Sequence, residues 1–241
     1  MGRRTFAFDW VIFAAVILLI SFGLITQLSI FPAFFYQQLI YSVLGIGLFL
    51  LFMRIDFGIY EYLTKYILFG SILFLLLSYL GPNVRGATRW LEIGGIRIQP
   101  SEFVKPFFIL GLANFIRSYP LIKVKNVAYF IGIFITFFIL IFRQPDLGNA
   151  LIYFSIWLGM AIIGGLPVRY FIIGFFSLSI MSPVFYNWLH EYQRQRLITF
   201  FDPGLDPKGV GYNALQSLIA FGSGQLWGRG FGRGTQSLLQ F

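Results

Sequence analysis

The chain has 241 residues, 58% of them hydrophobic and only 11% charged, and its mean hydropathy is +0.78. Folding in water would leave too much apolar surface uncovered, so the composition excludes a soluble globule and describes an integral membrane protein. The net charge of +9 falls between apolar runs, which directs it to anionic lipid headgroups or phosphate-bearing lipids and away from nucleic acid, and the absence of cysteine excludes disulfide and thiolate chemistry.

The chain opens with Met1-Gly2-Arg3-Arg4 and an apolar run over about 10–25. No small-residue cleavage site follows and a second run starts at once, so this segment reads as a membrane anchor and not as a signal peptide. Further runs, each near the ~20 residues that cross a bilayer, follow at 34–53, 60–80, 102–116, 127–142, 147–166 and 170–189. The expected fold is all-α and polytopic, with about seven transmembrane helices. After Leu189 the apolar rhythm stops, and residues 190–241 are rich in Gly, Arg and Gln. Their one apolar piece, Leu215–Phe221, is too short to span, and Asp202-Pro203-Gly204 and Asp206-Pro207 signal turns. Residues 190–241 are therefore the expected start of a large extracytoplasmic loop. With no linker and no internal repeat, residues 1–241 read as a single transmembrane domain.

Arg3 and Arg4 precede the first run, whereas 26–35 contains no Lys or Arg, which places the amino terminus in the cytoplasm. Counting onward, Arg54, Arg117, Lys123, Lys125 and Arg169 join them on that side. Arg85, Arg89, Arg97, Arg143, Arg194, Arg196, Lys208, Arg229 and Arg233 fall on the outer side, and Lys65 and Lys105 fall within helices. The outer side thus carries the larger number. The first helix normally dominates orientation, so the outer arginines need a different reason to be there.

Several stretches concentrate chemistry. In 81–102, Arg89-Trp90 and Arg97 flank Gly94-Gly95, and Gln99-Pro100-Ser101-Glu102 leads into a helix that holds Lys105. Glu102 and Lys105 are three apart and share a helix face. A lone charge at the bilayer centre costs roughly 2.5–3.5 kcal/mol, which favours an inward-facing pair. The stretch reads either as an interfacial ion pair that pins a short helix or as an anion site, with guanidinium forks and a helix amino terminus near Ser101 gripping phosphate. In Arg143-Gln144-Pro145-Asp146-Leu147-Gly148, Asp146 is placed to cap a helix starting at Leu147 and to orient a neighbouring arginine. Arg194 and Arg196 read as phosphate contacts or as a solvated interfacial cluster. The single histidine, His190, has no partner at metal-ligand spacing, so no metal site is expected. The glycines of 222–234 fit neither the dinucleotide fingerprint nor the P-loop, and suit backbone folded tightly against a membrane-bound ligand.

Taken in order, Arg85-Gly86-Ala87-Thr88-Arg89-Trp90-Leu91, Gln99-Pro100-Ser101-Glu102 with Lys105, Gln144-Pro145-Asp146-Leu147-Gly148, Tyr192-Gln193-Arg194-Gln195-Arg196, Asp202-Pro203 with Asp206-Pro207, and Gly211-Tyr212 through Gln216-Ser217 to Gly234-Thr235-Gln236-Ser237 resemble the SEDS family (FtsW/RodA/SpoVE). Within it, Tyr-Gln-Arg-Gln-Arg and Gly-Thr-Gln-Ser look more like the elongation members, RodA, than the division members, FtsW. The resemblance implies a fold of about ten helices in the bacterial plasma membrane. It also implies a glycosyltransferase that polymerises lipid II into glycan strands during cell elongation, partnered by a class B penicillin-binding protein and other membrane proteins of the elongation complex. By position, Trp90, Glu102 and Lys105 match family residues associated with activity. Arg89, Arg194 and Arg196 are expected to meet the substrate pyrophosphate. The family's catalytic aspartate follows Gly-Thr-Gln-Ser within a Leu-Pro-Glu-x-His-Thr-Asp segment, beyond Phe241. The expectation is therefore an amino-terminal fragment with no catalytic residue of its own and no activity alone. Asp146 and Asp202 have capping and turn roles and are not substitutes for that base. The cofactor is undefined; a divalent cation is compatible with this chemistry but nothing in the sequence requires one. Two rival readings are a lipid II flippase with Glu61, Lys65, Glu102 and Lys105 along its path, against which stands the absence of paired broken helices in inverted halves, and a membrane scaffold for a penicillin-binding protein.

Overall fold

The computed structural model describes residues 8–82, 88–93, 96–189, 191–202, 204–205, 209 and 211–234. In chain order these form α1 (Trp10–Ile30), a 3-10 turn (Pro32–Phe34), α2 (Phe35–Met53), α3 (Phe57–Leu77) continued by a 3-10 turn (Ser78–Leu80), β1 (Leu91–Ile93), β2 (Ile96–Ile98), α4 (Pro100–Ser118), α5 (Val124–Phe142), α6 (Leu147–Ile163), α7 (Val168–Trp188), α8 (Glu191–Phe201) and α9 (Tyr212–Gly224). Each of the seven apolar runs carries one helix of α1–α7. Among the described residues, four stretches are long and apolar enough to cross a membrane: Trp10–Ile30, Pro32–Met53, Gly58–Leu80 and Val124–Phe142. The 17 residues of α6 and the apolar part of α7, Val168–Val184, are shorter, while α4 carries Glu102, Lys105 and Arg117. The protein is a polytopic all-α membrane protein, and these last helices are the ones whose length or polarity sets them apart from simple spans.

Local chemistry places the helix ends. Asp9 caps α1, its carboxylate accepting from the Val11 and Ile12 amides at 3.0 and 3.1 Å. Pro100 opens α4, where its missing N–H costs nothing and its fixed φ suits a first turn. α6 ends in a paired cap. Leu166 N–H reaches the Ala161 carbonyl at 3.0 Å and Gly165 N–H the Ile162 carbonyl at 3.1 Å, with Gly165 at φ +69°, a conformation that an L side chain resists.

The chain forms two compact units: residues 57–190, and residues 1–56 together with 191–241. In the first, α4 buries Ser101, Val104, Phe108, Gly111 and Leu112 along one face, and α5 buries Val127, Phe130, Phe137 and Ile141. Rings carry much of this packing: Phe108 lies 4.9 Å from Phe137 and 5.0 Å from Tyr153, and Trp157 lies 4.8 Å from Phe134. Gly111 lets α4 approach α3 so closely that an added Cβ would strike the Leu68 side chain, the small-residue contact by which membrane helices approach. One end of this unit is tied by Asn114 Nδ2 to Thr64 Oγ1 at 3.0 Å and by Arg117 Nη1 to Glu61 Oε2 at 2.7 Å. In the second unit, Phe13 of α1 lies 6.0 Å from Phe49 of α2, and Gly232 N–H donates to Ser29 Oγ at 2.8 Å.

Two features depart from the sequence reading. A β-hairpin stands where the sequence reading placed a loop, with Leu91 opposite Ile98, Glu92 opposite Arg97 and Ile93 opposite Ile96. The segment after Leu189 contains α8, which a hydropathy reading passes over because Glu, Gln and Arg favour helix without being apolar, and α9, which extends the short apolar piece Leu215–Phe221 in both directions. The 13 residues of α9 reach only about 20 Å, short of a bilayer.

Candidate functional site

A cluster of polar residues of the 57–190 unit gathers where α4 and α6 begin. Asp146, 5% exposed, stands at the N-cap of α6. Its Oδ1 accepts the Asn149 amide at 3.3 Å, and its Oδ2 accepts Asn149 Nδ2 at 2.8 Å and Gln99 Nε2 at 2.7 Å. Arg89 Nη1 lies 3.5 Å from Oδ1. One turn further, Tyr153 donates its hydroxyl to the Ser101 carbonyl at 2.8 Å, and Asn149 Nδ2 lies 3.4 Å from Ser101 Oγ. Asp146, Asn149 and Tyr153 are three and then four residues apart, so they line one face of α6 and lock it to the first turn of α4. Asp146 caps the helix, as the sequence suggested, and the arginine it faces is Arg89 from the segment before β1 and not the sequence-adjacent Arg143.

This arrangement fixes Arg89 without using it up. Its side chain is 32% exposed, and its Nε is buried with no acceptor among the described residues. A guanidinium has five donors, and one contact with Asp146 leaves most of them for another anion. Trp90 is half-buried directly before β1, and its carbonyl oxygen sits where a Cβ on residue 81 would be, so only glycine fits there. Lys105 Nζ bonds Glu102 Oε1 at 2.7 Å, with Lys105 16% and Glu102 51% exposed. The pair therefore forms as the spacing predicts but is not turned fully inward: the ammonium is packed away and the carboxylate opens outward. Arg97 faces Glu92 across the hairpin at 3.9 Å, both well exposed.

Arg194 lies on α8, in the other unit, and the side chain of Arg196 falls outside the described part of the structure. The structure brings Arg89, Trp90, Glu102 and Lys105 to one end of the 57–190 unit. Gln99, Asn149 and Tyr153 were missed as site residues by sequence reasoning. For Asn149 and Tyr153 the signal was polar residues recurring on one face of an otherwise apolar helix. Among the described residues, no group of three or more His, Cys, Asp or Glu side chains is placed to hold a metal ion.

A helical membrane bundle that fixes a partly exposed arginine with a buried carboxylate at one end defines a polytopic membrane protein with a built polar site. The family model for FtsW, RodA and SpoVE, described as "Cell cycle protein", matches residues 4–241, and the chain belongs to this family. It is 38% identical over 205 residues to "Probable peptidoglycan glycosyltransferase FtsW" of Synechocystis sp., covering 84% of this chain and 52% of the relative. It is 34% identical over 201 residues to "Peptidoglycan glycosyltransferase MrdB" of Escherichia coli K12, covering 82% and 54%. The chain thus spans about half the length of the curated relatives it matches. Among solved structures it is similar to one described as "Structural coordination of polymerization and crosslinking by a peptidoglycan synthase complex", with TM-score 0.75 and 30% identity over 91% of this chain and 67% of that one. It is also similar to the rod shape determining protein RodA of Thermus thermophilus, with TM-score 0.61 and 28% identity over 73% and 60%.

Proposed function

We propose that this chain is a membrane-embedded part of a peptidoglycan glycosyltransferase that polymerises lipid II during cell elongation, with Arg89 receiving the substrate's pyrophosphate. The observation that carries the site is the Arg89 guanidinium, tethered by Asp146 and left with a buried Nε donor. The names of the relatives support the reaction, and the likeness to RodA supports the elongation role.

In this reaction a sugar hydroxyl attacks the anomeric carbon of a second lipid-linked sugar. The new C–O bond forms as the bond to pyrophosphate breaks, and the leaving group departs with the electron pair. Positive charge fixed where that charge accumulates lowers the barrier without reorganisation. Arg89 serves this role, Asp146 and Gln99 hold it in place, and Trp90, Lys105 and Glu102 shape the same end of the bundle. Arg194 and Arg196 are proposed as further phosphate contacts. A base must take the hydroxyl proton. Asp146 is not assigned that task, being occupied by three N–H donors and a guanidinium, nor is Asp202, which accepts the Gly204 amide at 3.0 Å in its own turn.

The reading places the amino terminus in the cytoplasm, the Arg89 end outside the plasma membrane, and residues 1–241 in one functional domain. It takes a class B penicillin-binding protein as partner, supported by the likeness to a peptidoglycan synthase complex, along with other membrane proteins of the elongation complex. The test joins this chain to the remaining length of E. coli MrdB and supplies lipid II and the partner. Glycan polymer is expected, and Arg89→Gln lowers its rate by about 10- to 100-fold, the value of a lost hydrogen bond between charged groups. An unchanged rate removes Arg89 from the site. Movement of labelled lipid II across vesicles with no polymer favours transport instead.

A further inference from the structure

A third guanidinium at this end of the bundle has no carboxylate beside it among the described residues. Arg89 and Arg97 each have one within 4 Å, at 3.5 and 3.9 Å, whereas Arg143 has none among the described residues. Arg143 is the exposed C-cap of α5. The 19 residues of α5 rise about 28 Å, close to the ~30 Å of a bilayer's hydrocarbon core, so the next residue stands at the border between acyl chains and headgroups.

Arg143 closes one end of a groove of about 360 Å³ between α3 and α5, lined by Leu76, Tyr79, Ile139, Leu140 and Arg143. Its walls are pinned across the two helices. The Tyr79 hydroxyl donates to the Leu140 carbonyl at 2.6 Å and Gln144 Nε2 to the Leu75 carbonyl at 3.1 Å, so the groove does not depend on a loop for its shape. Leu76 and Ile139 are 43% and 49% exposed along it. A mostly apolar groove just inside the headgroup border that ends, among the described residues, in one cation is complementary to an acyl chain ending in one phosphate.

We infer that this groove binds an anionic glycerophospholipid, its phosphodiester on Arg143 and one acyl chain along Leu76, Ile139 and Leu140. Among the described residues that line the groove, Arg143 is the one that carries a charge, which suits a singly charged phosphodiester better than a pyrophosphate. The site is therefore distinct from the one assigned to Arg89, and it stands whether or not that assignment does.

The test purifies the full chain in mild detergent, offers phosphatidylglycerol and phosphatidylcholine in equal amounts, and counts retained lipids by native mass spectrometry. Wild type is expected to retain phosphatidylglycerol preferentially. Arg143→Gln lowers that retention about fivefold, in line with the strength of one arginine at an anionic surface. Ile139→Trp, which fills the groove and leaves Arg143 intact, lowers it comparably, while Ile135→Trp, exposed on the same helix and outside the groove, leaves it unchanged. Circular dichroism checks that helix content is preserved. Retention equal to wild type in either Arg143→Gln or Ile139→Trp overturns the inference, as does retention of a polyprenyl pyrophosphate in place of phosphatidylglycerol.

Discussion

Asp146 shows how one side chain serves backbone and site together. Asn at this position keeps the capping role, since Asn is as good an N-cap as Asp, but removes the charge that faces Arg89. Asp146→Asn is therefore expected to leave helix content unchanged and to lower stability by about 1–2 kcal/mol, a figure reduced for the part of Arg89 that reaches solvent. Asp146→Ala also forfeits the cap and loses about 1 kcal/mol more. Thermal unfolding of the three proteins in detergent checks the order; Asn and Ala behaving alike excludes a separate capping contribution. The capping role was legible in the sequence because it depends on the next three residues alone. The donors Gln99 and Arg89 were not, because Gln99 lies 47 residues earlier and only the packing of α4 on α6 brings it in.

Helix positions were legible wherever apolar length decides them, and less so at their edges. α1 runs to Ile30, past the expected end near Ile25, because its later polar residues satisfy themselves inside the helix: Thr26 donates to the Phe22 carbonyl at 2.8 Å. The hairpin was also readable, since Leu91-Glu92-Ile93 and Ile96-Arg97-Ile98 alternate apolar and charged residues around Gly94-Gly95, a pattern that favours a tight turn between strands. The close approach of α3 and α4 was not legible, because no local pattern tells which glycine meets another helix. Gly111→Ala is expected to cost about 1–3 kcal/mol by overpacking against Leu68. Adding Leu68→Ala restores part of that loss, and a double-mutant cycle on unfolding midpoints measures it. Purely additive losses show that the two side chains do not compete for the same space.

The absence of cysteine makes orientation testable without background labelling. Arg97 stands at the hairpin end of the 57–190 unit, and Ile122, 71% exposed, lies in the turn between α4 and α5 at the opposite end. With the proposed topology, a membrane-impermeant thiol reagent applied to intact cells modifies Arg97→Cys and spares Ile122→Cys until the membrane is opened. The reverse pattern inverts the orientation and removes the outer arginines from any extracytoplasmic chemistry.

Because residues 1–56 share a unit with 191–241 while 57–190 form their own, the order of synthesis is not the order of completion. At ribosomal speeds of about 5–20 residues per second, α1 and α2 wait on the order of ten seconds for the later segment that joins them. In that interval Ser29 has no Gly232 to bond, and the first two helices stand in the bilayer as an unfinished pair. Nascent chains halted before residue 191 thus have a complete middle bundle and an amino-terminal pair of helices still without its later partner segment.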